Sequence, residues 1–333
     1  MKKQDEPFYR QIISDAWSIA RQHKHLWVFG FFATIIGFGG VMDPVFNGSD
    51  HIYSFLPGMM GGRGIHFIPG FATFRAVILS SPAPLVAFVI CLTVMAFFAA
   101  VFAWMTYVSV GALVGSVRKI ERGGDPHFSD EVKLGTQKFW PVLGVNLFAQ
   151  LFVLALFMLT ASALRQLLIE GGYVPGVFYL GTFIVFTIIA IGSLISAVFA
   201  TCEVVAKGRS VREALHAGVR LTTDNWLASI ELALALLAVS IAVGLAAIVV
   251  ALVASVPFIF MIIVASAAKA PIASTIVVTT AAVLMIVLIV LVGSFITSFQ
   301  TAAWTLLWGR IESKKHTQPK LIRLARKHLP FLG

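Results

Sequence analysis

Five polar side chains interrupt otherwise apolar stretches of the sequence, where a membrane protein most often carries its chemistry. They are Asn146, Gln150, Glu203, Glu231 and Gln300. Gathered around one cavity, such carboxylates and amides could bind a cation, relay a proton or contact a polar substrate, as in a small-molecule transporter or exporter. Placed singly between helices, they would instead form hydrogen bonds or ion pairs that hold the helices together.

The two glutamates lie near the ends of their apolar stretches. Glu203 comes four residues before Lys207, and Glu231 comes five residues after Trp226. At 1.5 Å per residue, Glu231 is only about 7–8 Å from that tryptophan along a helix. Such shallow positions favour pairing with nearby basic side chains, for Glu203 those at 207, 209 and 212, over a cation or proton site.

The two amides at 146 and 150 are four residues apart, so they share one helix face. An interhelical hydrogen bond is the favoured role for such a pair, with a substrate contact as the alternative.

Known catalytic signatures are absent from the sequence. It contains no H-E-x-x-H and no G-x-S-x-G motif. His23 and His25 flank a lysine without a carboxylate or cysteine cluster, so no metal site is predicted. The sequence therefore predicts a protein that is not an enzyme and that has no cofactor.

The composition is that of a chain dissolved in lipid. Hydrophobic residues make up 59% of the 333 residues and charged residues 12%, with a mean hydropathy of +0.92. Soluble domains have roughly 45–50% apolar and about 25% charged residues. This composition excludes a secreted enzyme, a disordered chain, a coiled coil and a disulfide scaffold.

Six apolar runs are predicted to be membrane spans, for which about 20 residues are needed. The first of them is shorter than this and rich in glycine. The runs are Leu26–Met42, Pro84–Val117, Phe139–Leu164, Val177–Val205, Trp226–Ser255 and Ile276–Trp308. They lack the alternation of a β-barrel, so the expected fold is an all-α polytopic membrane protein with six transmembrane helices. The apolar segment Phe258–Ala268 follows Pro257 and is too short to span, so we expect a re-entrant or interfacial piece.

Basic residues predict the orientation. With six spans, 21 of the 25 Lys and Arg residues fall on the side that holds both tails. The positive-inside rule then makes both termini cytoplasmic, in a multi-pass protein of the inner (cytoplasmic) membrane. The net charge of +10 follows from this topology, and no nucleic-acid partner is needed to explain it.

The C-terminal tail, residues 311–333, is basic with interspersed leucines, which is typical of a segment lying on anionic lipid. We therefore expect the anionic lipids of the cytoplasmic leaflet to be partners. The predicted lipid-surface residues are Arg310, Lys314, Lys315, Lys320, Arg323, Arg326 and Lys327.

An amphipathic segment ending near a tryptophan occurs three times, at 8–25, 129–139 and 210–225. The chain is thus expected to form one membrane domain, residues 1–333, with a three-fold repeat of an interfacial helix plus a helical hairpin. The units are about 8–120, 126–207 and 210–310. In the third segment, Ser210 and Glu213 fit a capping box.

The segments at 15–32 and 203–237 carry a family likeness, chiefly in an A-L-x-x-G…N-W pattern. Its residues are Ala214, Leu215, Gly218, Asn225 and Trp226. The chain resembles a loose group of uncharacterised bacterial polytopic inner-membrane proteins, and the membrane region ahead of some glycerophosphodiester phosphodiesterases. The catalytic domain of those enzymes has no counterpart here, so the resemblance implies no phosphodiesterase activity and transfers no site residues.

The sequence favours a non-enzymatic membrane protein that organises lipid or a partner membrane protein at the cytoplasmic membrane. The alternative is a small-molecule transporter or exporter built on the five intramembrane polar residues.

Overall fold

The computed structural model describes residues 8–37 and 82–313, and within these ranges the chain forms nine helices. They are α1 (Phe8–Gln22), α2 (Leu26–Gly37), α3 (Pro82–Glu121), α4 (Phe128–Gln137), α5 (Phe139–Glu170), α6 (Tyr173–Lys207), α7 (Val211–Asp224), α8 (Trp226–Ala267) and α9 (Pro271–Glu312). The chain separates into two compact units, residues 1–31 with 107–333 and residues 32–106. The second unit includes the first 25 residues of α3, whose described apolar side chains are mostly exposed.

Five helices, α3, α5, α6, α8 and α9, are long and apolar enough to cross a membrane. The last two have 42 residues each, or about 63 Å at 1.5 Å per residue, against about 30 Å of hydrocarbon. Large apolar side chains along them are exposed, among them Leu252 and Phe260. Water would not tolerate so much apolar surface, whereas lipid does. The protein is a multi-span helical membrane protein.

The first expected span, Leu26–Met42, is described only in part. Helix α2 covers 12 residues, about 18 Å, and residues 38–42 lie outside the described ranges. The described residues therefore contain five long apolar helices where the sequence predicts six spans.

The segment Phe258–Ala268 is not a separate piece, and that prediction was wrong. Helix α8 continues through Pro257 to Ala267, and the chain turns only at residues 268–270. A proline removes a single backbone N–H, and neighbouring groups can compensate for the lost bond in a membrane helix. Proline was therefore a poor signal for a helix end at this point.

Helices α5 and α6 form a hairpin, as do α8 and α9, and α6 also contacts α9. The first hairpin turns at Gly171 and Gly172, which both have positive φ, a conformation that side-chain-bearing residues rarely adopt. Fully buried side chains such as Phe199, Leu307 and Trp308 concentrate toward one end of these helices. We call this the basic end, because Arg118, Lys207 and Arg310 close α3, α6 and α9 there.

Three short amphipathic helices pack against the long ones. Helix α1 packs on α9 and α7 on α6, while α4 packs against the end of α3. The capping box predicted at the start of α7 is confirmed, since the Ser210 backbone N–H donates to Glu213 Oε2 at 3.2 Å. Ile12 and Ala16, on the apolar face of α1, are completely buried.

Two of these contacts depend on glycine. A Cβ at Gly135 of α4 would collide with the Val108 carbonyl oxygen of α3. A Cβ at Gly218 of α7 would collide with the Ser196 carbonyl oxygen of α6. The missing side chains let the helix backbones touch, as small residues do in membrane helix pairs.

Candidate functional site

The first charged cluster at the basic end is built around Glu203, whose side chain is 2% exposed. Its Oε1 accepts hydrogen bonds from Lys207 Nζ and from Trp308 Nε1, both at 3.1 Å. Its Oε2 lies 3.0 Å from an Arg209 guanidinium nitrogen. A buried carboxyl group needs such neighbours to offset the loss of water, and these contacts tie α6 to α9.

The cluster extends from Glu203 to the end of α3. The Arg118 guanidinium lies 4.7 Å from the centre of the Trp308 ring and 2.6 Å from a Glu121 oxygen. Lys207 Nζ also lies 2.8 Å from Glu312. Cation–π and ion-pair contacts therefore join the ends of α3, α6 and α9 in one network.

Among the predicted lipid-surface residues, Arg310 is described, and its guanidinium donates to Asp15 Oδ2 of α1 at 2.8 Å. This bond ties α1 to α9 at the same end of the helices. The other six predicted lipid-surface residues, from Lys314 to Lys327, lie outside the described residues.

A second buried carboxylate, Glu131 of α4, has very different surroundings. Its side chain is 3% exposed, and no described group forms a hydrogen bond with either of its oxygens. His25 Nε2 lies 3.7 Å from Oε2, within ion-pair range but beyond a hydrogen bond. The neighbouring Ser116 hydroxyl donates to the Ala112 carbonyl oxygen at 2.7 Å, and its influence on the carboxyl is smaller than that of burial.

Burial decides how Glu131 and His25 ionise. It raises the pKa of Glu131 above the ordinary 4.5, and it lowers the pKa of His25 below 6.5 with help from His23. The imidazole is therefore neutral near pH 7 and does not neutralise the carboxylate. What this pair can do chemically is hold a proton on Glu131 at a higher pH than an exposed glutamate would.

The position of Glu131 is distinctive among the amphipathic helices. Each of them buries two residues four apart: Ala16 and Ala20 in α1, Ala214 and Gly218 in α7, and Glu131 and Gly135 in α4. The buried residues of α1 and α7 are uncharged, whereas α4 buries a glutamate. Glu131 is not among the residues predicted as a site, although its position four residues before a glycine could have indicated that it lies on the packed face of the helix.

Two of the five polar residues predicted as a site join pairs of long helices. Asn146 Nδ2 of α5 donates to the Val142 carbonyl oxygen at 2.8 Å and to Thr201 Oγ1 of α6 at 3.4 Å. Gln300 Nε2 of α9 donates to Ser240 Oγ of α8 at 2.9 Å. Both amides hold helices together across different interfaces.

The other three lie elsewhere. Gln150 is exposed on α5, Glu231 is half-buried near the start of α8, and Glu203 belongs to the network described above. The contacts of Asn146, Glu203 and Gln300 thus fall at separate helix interfaces, and none of the five lines the cavities described below.

An apolar groove of about 920 Å³ lies between α5, α6 and α7. Phe148 and Phe152 line it from α5, Ile189 from α6, and Leu215 and Val219 from α7. This volume is within the range of small-molecule sites, about 300–1,000 Å³. No single stretch of sequence indicates the groove, because three elements contribute to it.

A smaller cavity of about 290 Å³ at the end of α3 is lined by Arg118, Lys119 and Arg122. Two of these cations already have carboxylate neighbours, Glu121 at 2.6 Å and Asp130 at 3.6 Å. Its charge is thus largely compensated.

Within residues 8–37 and 82–313, no group of three or more His, Cys, Asp and Glu side chains could hold a metal ion. The rings of His23 and His25 lie 5.8 Å apart, at an edge-to-face angle.

Comparison with known proteins adds no identity, since no family model, curated protein or solved structure matches the chain. The resemblance drawn from the Ala214–Trp226 segment stays a prediction.

Proposed function

We propose that this protein is a non-enzymatic membrane scaffold that organises anionic lipid at the cytoplasmic face of the inner membrane. The observation that carries the proposal is the charged network centred on Glu203. Ion pairs and a cation–π contact join α3, α6 and α9 at the basic end, where a separate ion pair joins α1 to α9. Such a network makes a rigid platform and leaves other cations at this end to face lipid headgroups.

The proposal places the basic end in the cytoplasm, following the distribution of Lys and Arg in the sequence. Anionic lipid is concentrated in that leaflet, and each basic residue near its surface contributes about 1 kcal/mol of attraction. The amphipathic helices α1, α4 and α7 would lie at the same depth, as interfacial helices do.

The proposal includes the sixth span and the three-fold repeat. Helix α4 packs on α3 and α7 on α6, in each case on the long helix that precedes it. Helix α1 packs on α9, the last of the long helices. Residues 38–42 would complete the span that α2 begins.

Transport has weaker support. A transporter of the predicted kind needs its intramembrane polar residues around one cavity. Asn146, Glu203 and Gln300 are engaged in separate interhelical contacts instead.

The test is the lipid composition around the protein when a polymer extracts it from its own membrane without detergent. We expect phosphatidylglycerol and cardiolipin to be enriched over the whole membrane, and over discs of an unrelated six-span protein from the same cells. A lipid composition equal to that of the control discs would contradict the proposal. So would a stoichiometric partner protein without lipid enrichment, which would make the chain a protein-binding subunit.

A further inference from the structure

Three hydroxyl groups that line the groove between α5, α6 and α7 form hydrogen bonds within the protein. The Ser196 hydroxyl donates to the Gly192 carbonyl oxygen at 2.7 Å and lies 3.0 Å from Thr222 Oγ1. Thr222 and Thr223 likewise donate to backbone carbonyl oxygens of their own helix. Because these hydroxyls are satisfied internally, the groove presents an apolar surface that suits a hydrocarbon chain.

The rim of the groove has the opposite character. Arg212 and His216 line it from the first two turns of α7, four residues apart and on one face. Both side chains are exposed. The first turn of a helix carries a partial positive charge from its backbone N–H groups, which adds to the arginine. An anionic headgroup is complementary to this rim.

From these observations we propose that the groove is a binding site for one anionic phospholipid of the surrounding membrane. One acyl chain lies between α5 and α6 beneath α7, and the phosphate lies against Arg212 and His216. The inference rests on the proposed function and names the site at which lipid is held. The groove is distinctive because it combines an apolar interior with this basic rim.

The open space in the groove can be filled without disturbing the fold. A Cβ at Gly192, on α6, would meet no atom within 4 Å, so a leucine there would extend into the groove. Gly181 lies three turns earlier on the same helix, away from the groove, and also has open space around it. Leucine is a better helix former than glycine, so both variants should keep their helices.

The experiment is native mass spectrometry of the full chain in detergent, with equal amounts of palmitoyl-oleoyl phosphatidylglycerol and phosphatidylcholine. We expect the wild-type protein to retain one phosphatidylglycerol per chain. Gly192→Leu should lose that lipid, whereas Gly181→Leu should keep it. Thermal denaturation of both variants checks that they fold.

The headgroup is tested by a matched pair of arginines on α7. Arg212→Gln should weaken phosphatidylglycerol retention about tenfold and leave phosphatidylcholine unchanged, because a charge-assisted hydrogen bond is lost. Arg220→Gln should behave as wild type, since that arginine faces Asp224 at 3.6 Å, outside the groove.

Each outcome decides between the two proposals. If the native membrane discs show anionic enrichment but Gly192→Leu and Arg212→Gln both bind like wild type, the groove assignment is overturned and the scaffold proposal stands. If the wild-type protein shows no preference in either experiment, both are overturned. If Gly192→Leu converts a dimer to a monomer, a second copy fills the groove and the lipid assignment is wrong.

Discussion

Glu203 and Glu131 are equally buried, yet their surroundings assign them opposite roles. Glu203 is held by an ammonium, a guanidinium and an indole N–H within 3.1 Å. Among the described residues, Glu131 has no cation within 3.5 Å; its ion-pair neighbour is the His25 imidazole at 3.7 Å, and burial outweighs the influence of Ser116, Lys119 and His127 on its pKa. Burial alone therefore does not define what an acidic residue does in a membrane protein, because the donors around it set whether the charge is kept or given up to a proton.

The contact that buries Glu131 can be broken without touching the carboxylate. Gly135→Ala should destabilise the docking of α4 by about 3 kcal/mol, because the new Cβ meets a backbone carbonyl oxygen that cannot move aside. Hydrogen exchange of residues 128–137 measures the effect. Gly181→Ala is the control, and the backbone amides of its helix should exchange as slowly as in the wild type. An unchanged exchange rate in Gly135→Ala would remove the basis for calling Glu131 buried.

Neutralising Glu203 should cost stability. Glu203→Gln deprives Lys207 and Arg209 of their shared partner, and we expect the free energy of unfolding in mixed micelles to fall by about 2 kcal/mol at pH 7. This is below the figure for a fully buried pair, because both cations are partly exposed. Glu312→Gln, at the exposed edge of the network, should cost about 0.5 kcal/mol. If the two variants lost the same stability, Glu203 would contribute no more to the network than the exposed Glu312 does.

Removing only the indole donor should have a smaller effect. Trp308→Phe keeps an aromatic ring beneath Arg118 and leaves Glu203 Oε1 bonded to Lys207. The loss of one buried hydrogen bond predicts about 1 kcal/mol of destabilisation in the same micelle titration. A loss as large as that of Glu203→Gln would show that ring packing, rather than the N–H, dominates.

Opening the ion pair to α1 should have the smallest effect. Arg310 and Asp15 are 21% and 46% exposed, so Asp15→Asn should cost about 0.5 kcal/mol, and high salt should reduce the difference. Thermal denaturation at low and high ionic strength measures it. A cost that is independent of salt would indicate a packing role for Asp15.

The sequence predicted the local parts of this arrangement and missed the parts that join distant segments. Lys207 and Arg209 follow Glu203 closely, so their pairing was foreseeable from helical spacing. Trp308 is 105 residues from Glu203, and no periodicity connects them. In the sequence, Glu131 is indistinguishable from an ordinary acidic residue in the first turn of a helix.

The long helices were predictable because about 20 apolar residues suffice to signal a span. The position at which α8 ends was not predictable, because a proline that would end a helix in water is tolerated in a membrane helix. The groove could not be predicted either, because its lining residues come from three helices that are adjacent only in the folded chain. The same is true of the contact between Trp308 and Glu203.

The contrast between the two glutamates is tested most directly by the stability of Glu131→Gln across pH. The folded protein holds the Glu131 proton more tightly than the unfolded chain. Its contribution to stability is therefore complete below pH 4.5 and is lost as the pH rises through the raised pKa. His25 acts in the opposite direction, since its contribution is complete above pH 6.5 and is lost as the pH falls through its lowered pKa.

The measurement is the free energy of unfolding of wild type and Glu131→Gln in mixed micelles at pH 5 and pH 8. The titratable groups around the carboxyl, Lys119, Asp130, His127 and His25, are the same in both proteins, so they largely cancel in the difference. We expect Glu131→Gln to become more stable relative to the wild type between pH 5 and pH 8, because the wild type gives up the Glu131 proton over this range and the amide has none to lose. A variant that instead loses stability at pH 8, as Glu203→Gln should, would mean that Glu131 is held as a carboxylate, and the distinction between the two sites would fail.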